Sequence, residues 1–182
     1  MPTLTFHLAI PLPAALSPGQ VIQAMHRYEP LITPNPFLVS YRRRPVDLRE
    51  IVDDAFFRDD GQALAAFEVV DRIVLVPGLA TKQVVIPCVM QRFDDGLRCR
   101  SFAAGGVRVW STWRVQPAVT GAEALDNDVD GSPLPSAVAY ELVEEARVEC
   151  SVLVKPFVGR SFQAAHMDIL RSVVREIMQQ QA

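Results

Sequence analysis

The chain has 182 residues, of which 49% are hydrophobic, and its 18 basic and 21 acidic residues give a net charge of -3. This length and apolar content suffice for one domain with a substantial core, and we expect a single domain over residues 1–182. The near balance of charges excludes a general polyanion binder, so nucleic acid is the weakest hypothesis for a partner.

The cysteine pattern and the lack of long apolar runs indicate the compartment. Cys88, Cys99 and Cys150 are odd in number and lie inside apolar runs, which is typical of free thiols in a reducing compartment such as the cytoplasm. No run reaches the roughly eighteen apolar residues of a membrane helix, and we expect no membrane insertion. The apolar start lacks a basic segment and is broken by Pro11 and Pro13, so it predicts a strand rather than a signal peptide.

The first predicted elements are a strand, a short helix and a second strand. Apolar and polar residues alternate over residues 3–10, which indicates a half-buried strand. Ser17 and Gln20 have the spacing of a capping box and predict the start of a short helix. Prolines between residues 30 and 36 then interrupt the chain, and a second strand is predicted from Phe37 to Arg43.

The middle of the chain predicts a meander of antiparallel strands. Residues 45–62 mix helical spacing with a turn cluster and are interpreted as a variable surface excursion. Four strands joined by the turns PGLA, DDG and GG follow, over residues 65–76, 81–93, 97–104 and 107–115. Residues 116–136 are rich in Pro, Gly, Asp and Asn, and a mobile loop is expected there.

The last elements are a strand over residues 139–154 and a long helix over residues 155–180. The helix has one apolar face, formed by Phe162, Ala165, Ile169, Val173 and Ile177. The predicted fold class is therefore α+β: a curved antiparallel sheet of about seven strands that buries this apolar face of the C-terminal helix.

Hairpin registers predict which side chains share the inner face of the sheet. A two-residue turn at Asp95 and Gly96 would place Met90 opposite Ser101, and a turn at Gly105 and Gly106 would place Ser101 opposite Trp110. Small residues at the centre of this face leave room for a ligand. The side chains expected to line a cavity are Phe67, Val69, Ile86, Cys88, Met90, Ser101, Trp110, Tyr140, Leu142, Phe162 and Ile169.

Polar residues interrupt this apolar face at Asp71, Arg108, Glu144 and His166. In one interpretation Asp71 and Arg108 form a buried ion pair that sets register, Glu144 lies near the water-accessible end of the sheet, and His166 lies at the core margin. In the other, Asp71, Glu144 or His166 transfers a proton while Arg108 or Tyr140 stabilises developing negative charge. The sequence leaves both interpretations open.

No motif predicts a cofactor or a metal site. CxxC and HExxH spacings are missing, and the three histidines are scattered. The stretch AAGGVR joins two predicted strands rather than a strand and a helix, so its glycines are explained by a hairpin instead of a phosphate loop. We expect no cofactor, no metal and no nucleic-acid partner; the oligomeric state is left open.

This order of elements resembles the helix-grip fold of START-like (SRPBCC) and birch-pollen-allergen-like proteins. Four stretches are similar to an uncharacterised family of small fungal proteins assigned to that superfamily: LSPGQVIQAMHRYEPLITPNP, FEVVDRIVLVPG, DDGLRCRSFAAGGVRVWSTWRV and ECSVLVKPFVGRSFQAAHMDILRSVV. The resemblance covers most of the chain apart from residues 45–62 and 116–136. It implies a sheet that wraps a C-terminal helix around an apolar cavity, and it assigns no catalytic residue.

The resemblance and the apolar inner face together predict three alternative functions. The first is binding of a hydrophobic small molecule, such as a lipid, sterol or polyketide-like metabolite. The second is a biosynthetic cyclase or isomerase that acts by acid-base catalysis on a natural-product intermediate in the cavity. The third is an interaction module whose interior is filled by its own side chains.

The resemblance also bears on the three consecutive arginines, Arg42 to Arg44. It implies that the preceding stretch PNPFLVSY helps form the cavity entrance, with the arginines on exposed strand beyond it. We interpret these arginines as an exposed, solvated edge of the sheet that discourages pairing with another sheet. In the alternative interpretation they contact an anionic group of a ligand.

Overall fold

The computed structural model describes residues 1–58, 62–76, 80–103, 105–118 and 139–180, which form one antiparallel sheet and a long C-terminal helix. The strands are β1 Thr3–Pro11, β2 Leu38–Arg44, β3 Leu64–Val76, β4 Ala80–Phe93, β5 Gly96–Ala103, β6 Val107–Pro117 and β7 Tyr140–Glu149. Their order in the sheet is β1-β7-β6-β5-β4-β3-β2, so the first and last strands pair. The predicted fold class is confirmed.

The helices are α1 Pro18–Met25, α2 Glu29–Ile32 and α3 Lys155–Gln180, with a 3-10 turn at Leu48–Glu50. The predicted capping box begins α1: the backbone N–H of Gln20 donates to Ser17 Oγ at 3.3 Å. In return, Gln20 Oε1 accepts from the backbone N–H of Ser17 at 2.8 Å. These two bonds satisfy backbone donors that a helix start leaves unpaired, so local chemistry determines where α1 begins.

The apolar face of α3 packs on one side of the sheet, hereafter the inner face. All five predicted residues of that apolar face are buried: Phe162, Ala165, Ile169, Val173 and Ile177. Near the start of the helix, Phe162 stacks on Phe6 of β1 with ring centroids 4.7 Å apart. Neither the sheet nor the helix is stable alone, and the packing of α3 on the sheet buries the apolar side of each.

The hairpin between β4 and β5 differs from the predicted register by two residues. Phe93 pairs with Gly96, so the turn residues are Asp94 and Asp95, and Cys88 lies opposite Ser101. A side chain at position 96 would overlap the Trp113 carbonyl oxygen, which explains the glycine at the first position of β5. Because side chains alternate with a period of two, this shift leaves every predicted face unchanged.

The hairpin between β5 and β6 differs by one residue, and this reverses the predicted faces of β6. Ala103 pairs with Val107 across a three-residue connection, and Ser101 lies opposite Val109 rather than Trp110. Gly105 and Gly106 adopt positive φ angles of 84° and 76° there. The inner face of β6 therefore carries Val107, Val109, Ser111, Trp113 and Val115.

Several predicted boundaries change or lie outside the described residues. Strand β7 ends at Glu149 rather than at residue 154, because residues 152–154 form the turn that leads into α3. Strand β6 continues to Pro117, inside the predicted loop. The predicted turn at residues 77–80 is described only at its last residue, and most of the loop over 116–136 lies outside the described residues.

Residues 45–58, which we call the outer segment, contribute contacts to the face of the sheet opposite α3. The Phe57 ring lies 5.3 Å from the guanidinium of Arg100, and Arg98 Nη1 donates to the Phe56 carbonyl oxygen at 2.8 Å. Arg100 Nη1 also forms an ion pair with Asp54. The segment predicted as a surface excursion therefore covers two arginines of β5.

Candidate functional site

A cavity of about 390 Å³ lies between α3 and the inner face of the sheet. Strands β3 to β6, α3, and α2 with the residues after it contribute its walls. Its volume falls within the range of small-molecule sites in proteins, and most lining residues are apolar. Seven of the residues expected to line a cavity do so: Val69, Ile86, Cys88, Met90, Ser101, Phe162 and Ile169.

Four other residues expected at the cavity lie elsewhere. Phe67, Tyr140 and Leu142 pack in or against the main hydrophobic core. Trp110 lies on the outer face, where the Arg147 guanidinium stands 4.2 Å from its ring. The placement of Trp110 at the cavity was wrong because the one-residue shift of β6 turned its side chain to the opposite face.

The same shift brings residues to the cavity that sequence reasoning missed. Val107, Val109, Ser111 and Trp113 line the wall in place of the residues predicted there. The stretch VRVWSTWRV contained a signal for this arrangement, because arginines at its second and eighth positions mark the solvent-facing set. Asn35 and Phe37, within the stretch expected near the entrance, also line the wall.

Asp71 is a buried acid on the cavity wall, and its partner is not the predicted arginine. Arg108 lies on the outer face of β6, 5.8 Å from the Phe102 ring, so the predicted ion pair with Asp71 is wrong. Asn35 Nδ2 donates to both carboxylate oxygens of Asp71 at 2.9 Å. Burial raises the pKa of Asp71 above its usual value, opposed by the Asn35 bond and by the charge of His166.

Glu144 and His166 form a hydrogen-bonded pair next to the cavity. Glu144 is 0% exposed, which corrects its expected position at the water-accessible end of the sheet. His166 Nδ1 lies 2.7 Å from Glu144 Oε1 and 2.9 Å from Oε2. This contact orients the imidazole and leaves Nε2 as its second polar atom, on a side chain that lines the cavity and is 20% exposed.

Aromatic rings hold His166 in place. Its ring stacks on Phe162 with centroids 3.7 Å apart, and it is parallel to Trp113 within 4° at 6.4 Å. Because α3 carries both His166 and Phe162 while β6 and β7 carry their partners, the arrangement exists only when the helix has docked.

Two of the three buried, free cysteines line the cavity. Cys88 and Cys99 lie on neighbouring strands, and a hydrogen bond between the thiols, together with burial, raises the pKa of Cys99 well above its usual range. A thiol that keeps its proton is a poor nucleophile, so Cys99 is not suited to nucleophilic catalysis.

Other candidate chemistry finds little support in the part of the chain that the structure describes. No cluster of three or more His, Cys, Asp or Glu side chains there could hold a metal ion. Likewise, no described helix is both long and apolar enough to cross a membrane.

Arg42 and Arg44 lie on the edge strand β2 and form ion pairs with Glu68 and Glu50.

The sheet, the long helix and the cavity between them define a helix-grip protein. Residues 2–179 match the family described as a domain of unknown function, DUF7053, and the chain belongs to that family. No curated protein matches the sequence.

Three solved structures with low sequence identity share the fold. Ara h 8.0201 is 10% identical, with 98% of this chain and 99% of that chain covered and a TM-score of 0.54. The di-domain ARO/CYC protein StfQ of the steffimycin biosynthetic pathway is 9% identical, with 98% and 52% covered and a TM-score of 0.61. A norcoclaurine synthase from Thalictrum, solved with a transition-state analogue, is 12% identical, with 99% and 97% covered and a TM-score of 0.52.

Proposed function

We propose that this protein binds a hydrophobic small molecule, such as a lipid, sterol or polyketide-like metabolite, in the cavity under α3. The supporting observation is a cavity of about 390 Å³ whose walls are mostly apolar. Burial of apolar ligand surface there supplies the binding free energy, at roughly 25 cal/mol per Å² removed from water. The few polar groups on the wall would orient the ligand rather than supply most of its affinity.

We place the entrance at the start of α3. Phe157 contributes to the cavity wall and is 53% exposed, so it belongs both to the interior and to the surface. Val152 and Leu153, in the preceding turn, are also exposed apolar residues. An apolar rim of this kind is suited to the transfer of a ligand that is poorly soluble in water.

The first test is native mass spectrometry of freshly purified protein, followed by extraction and identification of any released compound. A discrete apolar compound that copurifies with the protein is the expected result. A clean ligand-free mass, together with no binding from a broad panel of hydrophobic compounds, would contradict the proposal.

A pair of variants on α3 tests whether binding occurs in this cavity. Ala165 lines the cavity, whereas its neighbour Ala164 is exposed. Ala165→Leu fills part of the cavity and should weaken ligand binding at least about tenfold, while Ala164→Leu adds the same side chain outside and should change nothing. Equal binding by the two variants would place the ligand elsewhere.

A second candidate function, acid-base catalysis of the cyclase or isomerase type, is favoured by Glu144 and His166. A carboxylate on Nδ1 is the arrangement that orients a histidine base towards a reacting group, and Asp71 supplies a second titratable group on the cavity wall. Arg108, on the outer face, is excluded from this role by its position.

Deuterium exchange separates a catalyst from a carrier. In D₂O the wild type should speed the exchange of acidic C–H protons in the compound extracted from the protein. His166→Asn should abolish the acceleration and still bind the compound. If the wild type left the C–H protons to exchange at the uncatalysed rate, the acid-base function would be contradicted and only the binding function would remain.

We further propose that residues 1–182 form one domain that acts in the cytoplasm. One sheet spans the described strands, and α3 packs against its first strand as well as its middle. The three buried, free cysteines are suited to a reducing compartment. Limited proteolysis that releases a stable fragment with only part of the sheet would contradict the single domain.

A further inference from the structure

The charges around the cavity narrow the class of ligand. We propose that it selects neutral ligands that carry a hydroxyl or carbonyl group and discriminates against carboxylates and other anions. This inference rests on the proposed function and concerns the polar end of the same ligand. No Lys or Arg is found among the described residues that line the cavity, whereas Asp71 lines it directly.

His166 does not supply the missing cation. When its ring is protonated, the Glu144 carboxylate 2.7 Å from Nδ1 balances the charge. When the ring is neutral, the pair carries the negative charge of Glu144, which is fully buried and screened little by water. In neither state does an incoming carboxylate find an uncompensated positive charge.

Asp71 makes an anionic ligand still less favourable. Its oxygens accept hydrogen bonds from the Asn35 amide, which is a neutral donor, and no ion pair with another described residue neutralises the carboxylate. A ligand carboxylate would lose its hydration on entry and meet a like charge in surroundings of low dielectric constant.

A neutral oxygen finds suitable partners on the same walls. His166 Nε2 can donate to a carbonyl or exchange a hydrogen bond with a hydroxyl, and Asp71 can accept from a hydroxyl. Ser111 Oγ and Trp113 Nε1 are buried without a hydrogen-bond partner among the described residues, and both side chains contribute to the wall. Such donors favour an oxygen acceptor, since an unmade buried hydrogen bond costs stability.

Arg160 defines the alternative that the test must detect. It lies about one helical turn after Phe157, beside a surface depression outside the cavity. A carboxylate held with its head at the mouth could contact Arg160, and an anion would then bind as well as a neutral ligand.

The test compares two ligands of equal chain length, 1-decanol and decanoate, by displacement of the neutral dye Nile red at pH 8. Decanol should bind at least tenfold more tightly than decanoate. Equal or tighter binding of decanoate would overturn the selectivity and leave the proposed function intact. Failure of both compounds and of the dye to bind would overturn both proposals.

Asp71→Asn and Asp168→Asn each remove one negative charge, the first from the cavity wall and the second from the exposed face of α3. Asp71→Asn should strengthen decanoate binding and so reduce the ratio of decanol affinity to decanoate affinity at least threefold. Asp168→Asn should leave this ratio unchanged. An equal effect of both variants would trace the ratio to net charge rather than to the cavity and overturn the proposal. The wild-type ratio decides the question even if Asp71→Asn does not fold.

Discussion

Glu144 is fully buried on β7, and its carboxylate faces the imidazole of His166 on α3. Removal of one member of a buried pair leaves the other without compensation. We therefore expect Glu144→Ala to lower the free energy of unfolding by about 3–5 kcal/mol, measured by urea denaturation.

Two further variants show whether the lost contact causes this effect. Glu144→Gln keeps an oxygen that can accept from Nδ1–H and should lose only about 1–2 kcal/mol. Glu145→Ala removes the next side chain, which is exposed on the opposite face, and should change stability by less than about 0.5 kcal/mol. If the alanine and glutamine variants at position 144 were equally unstable, the hydrogen bond to His166 would not be the cause.

Asp71 makes the stability of the protein depend on pH. Burial raises its pKa above the usual value of 3.8, so the native chain holds a proton that the unfolded chain has released. Between pH 3.8 and the raised pKa the native state therefore binds more protons, and the free energy of unfolding falls as the pH rises. Asp71 opposes folding most strongly above that window.

Asp71→Asn should reduce the loss of stability across this window, because the variant has no carboxyl group to titrate. The measurement is the free energy of unfolding at a series of pH values from 3.8 to neutrality, with Asp168→Asn as the exposed control. Parallel curves for wild type and Asp71→Asn would contradict the assignment of this dependence to Asp71.

At the scale of elements, the outer segment buries charged residues of β5 that would otherwise face water. The side chains of Arg100 and Asp54 are 5% and 22% exposed, so their ion pair is largely shielded from solvent. Asp54→Ala leaves the guanidinium without its carboxylate, and we expect a loss of about 3–5 kcal/mol in the free energy of unfolding.

Asp53→Ala provides the matched control for this prediction, because Asp53 is exposed and adjacent in the chain. It should change the free energy of unfolding by less than about 0.5 kcal/mol. The same urea titration measures both variants. A similar loss in the two would show that the outer segment contributes by its conformation rather than by the ion pair.

Local signals were sufficient to predict most elements. The capping box at Ser17 began α1, and the apolar repeat from Phe162 to Ile177 defined the buried face of α3. Each of these signals depends on residues within a few positions of one another. The contacts of residues 45–58 with β5 left no comparable signal, because they join residues more than forty positions apart in the chain.

The face of β6 shows where sequence reasoning failed within an element. Gly105 and Gly106 can form either a two-residue or a three-residue connection, and glycine has the positive φ that both require. A difference of one residue in the pairing register turns Trp110 away from the cavity and places Ser111 and Trp113 on its wall. The alternation of apolar and polar side chains within β6 predicts its inner face better than the assumed length of the turn at Gly105 and Gly106.

At the scale of the whole molecule, the burial of all three cysteines links thiol reactivity to folding. Cys150, which is buried outside the cavity lining, should react with a disulfide reagent only as the protein unfolds, with a urea midpoint equal to that of intrinsic fluorescence. The raised pKa of Cys99 slows its reaction further, because the thiolate is the reactive form.

Ser40→Cys supplies the control for thiol labelling, because Ser40 is exposed on β2. The introduced thiol should react at once in native buffer. Fast labelling of Cys150 without urea would contradict the coupling to global unfolding, whereas labelling of Cys88 or Cys99 alone would show that the reagent enters the cavity.

The order of the strands, the positions of α1 and α3, the buried face of α3 and the inward set of β3 and β4 follow from the sequence alone, because periodicity and capping signals within a segment encode them. The face of β6, the contacts of the outer segment with β5 and the contact between Glu144 and His166 depend instead on the three-dimensional packing. These features depend on loop geometry and on side chains far apart in the chain, and local patterns do not specify such contacts. The cavity results from the same packing, since residues as far apart in the chain as Leu31 and Ile169 form its walls.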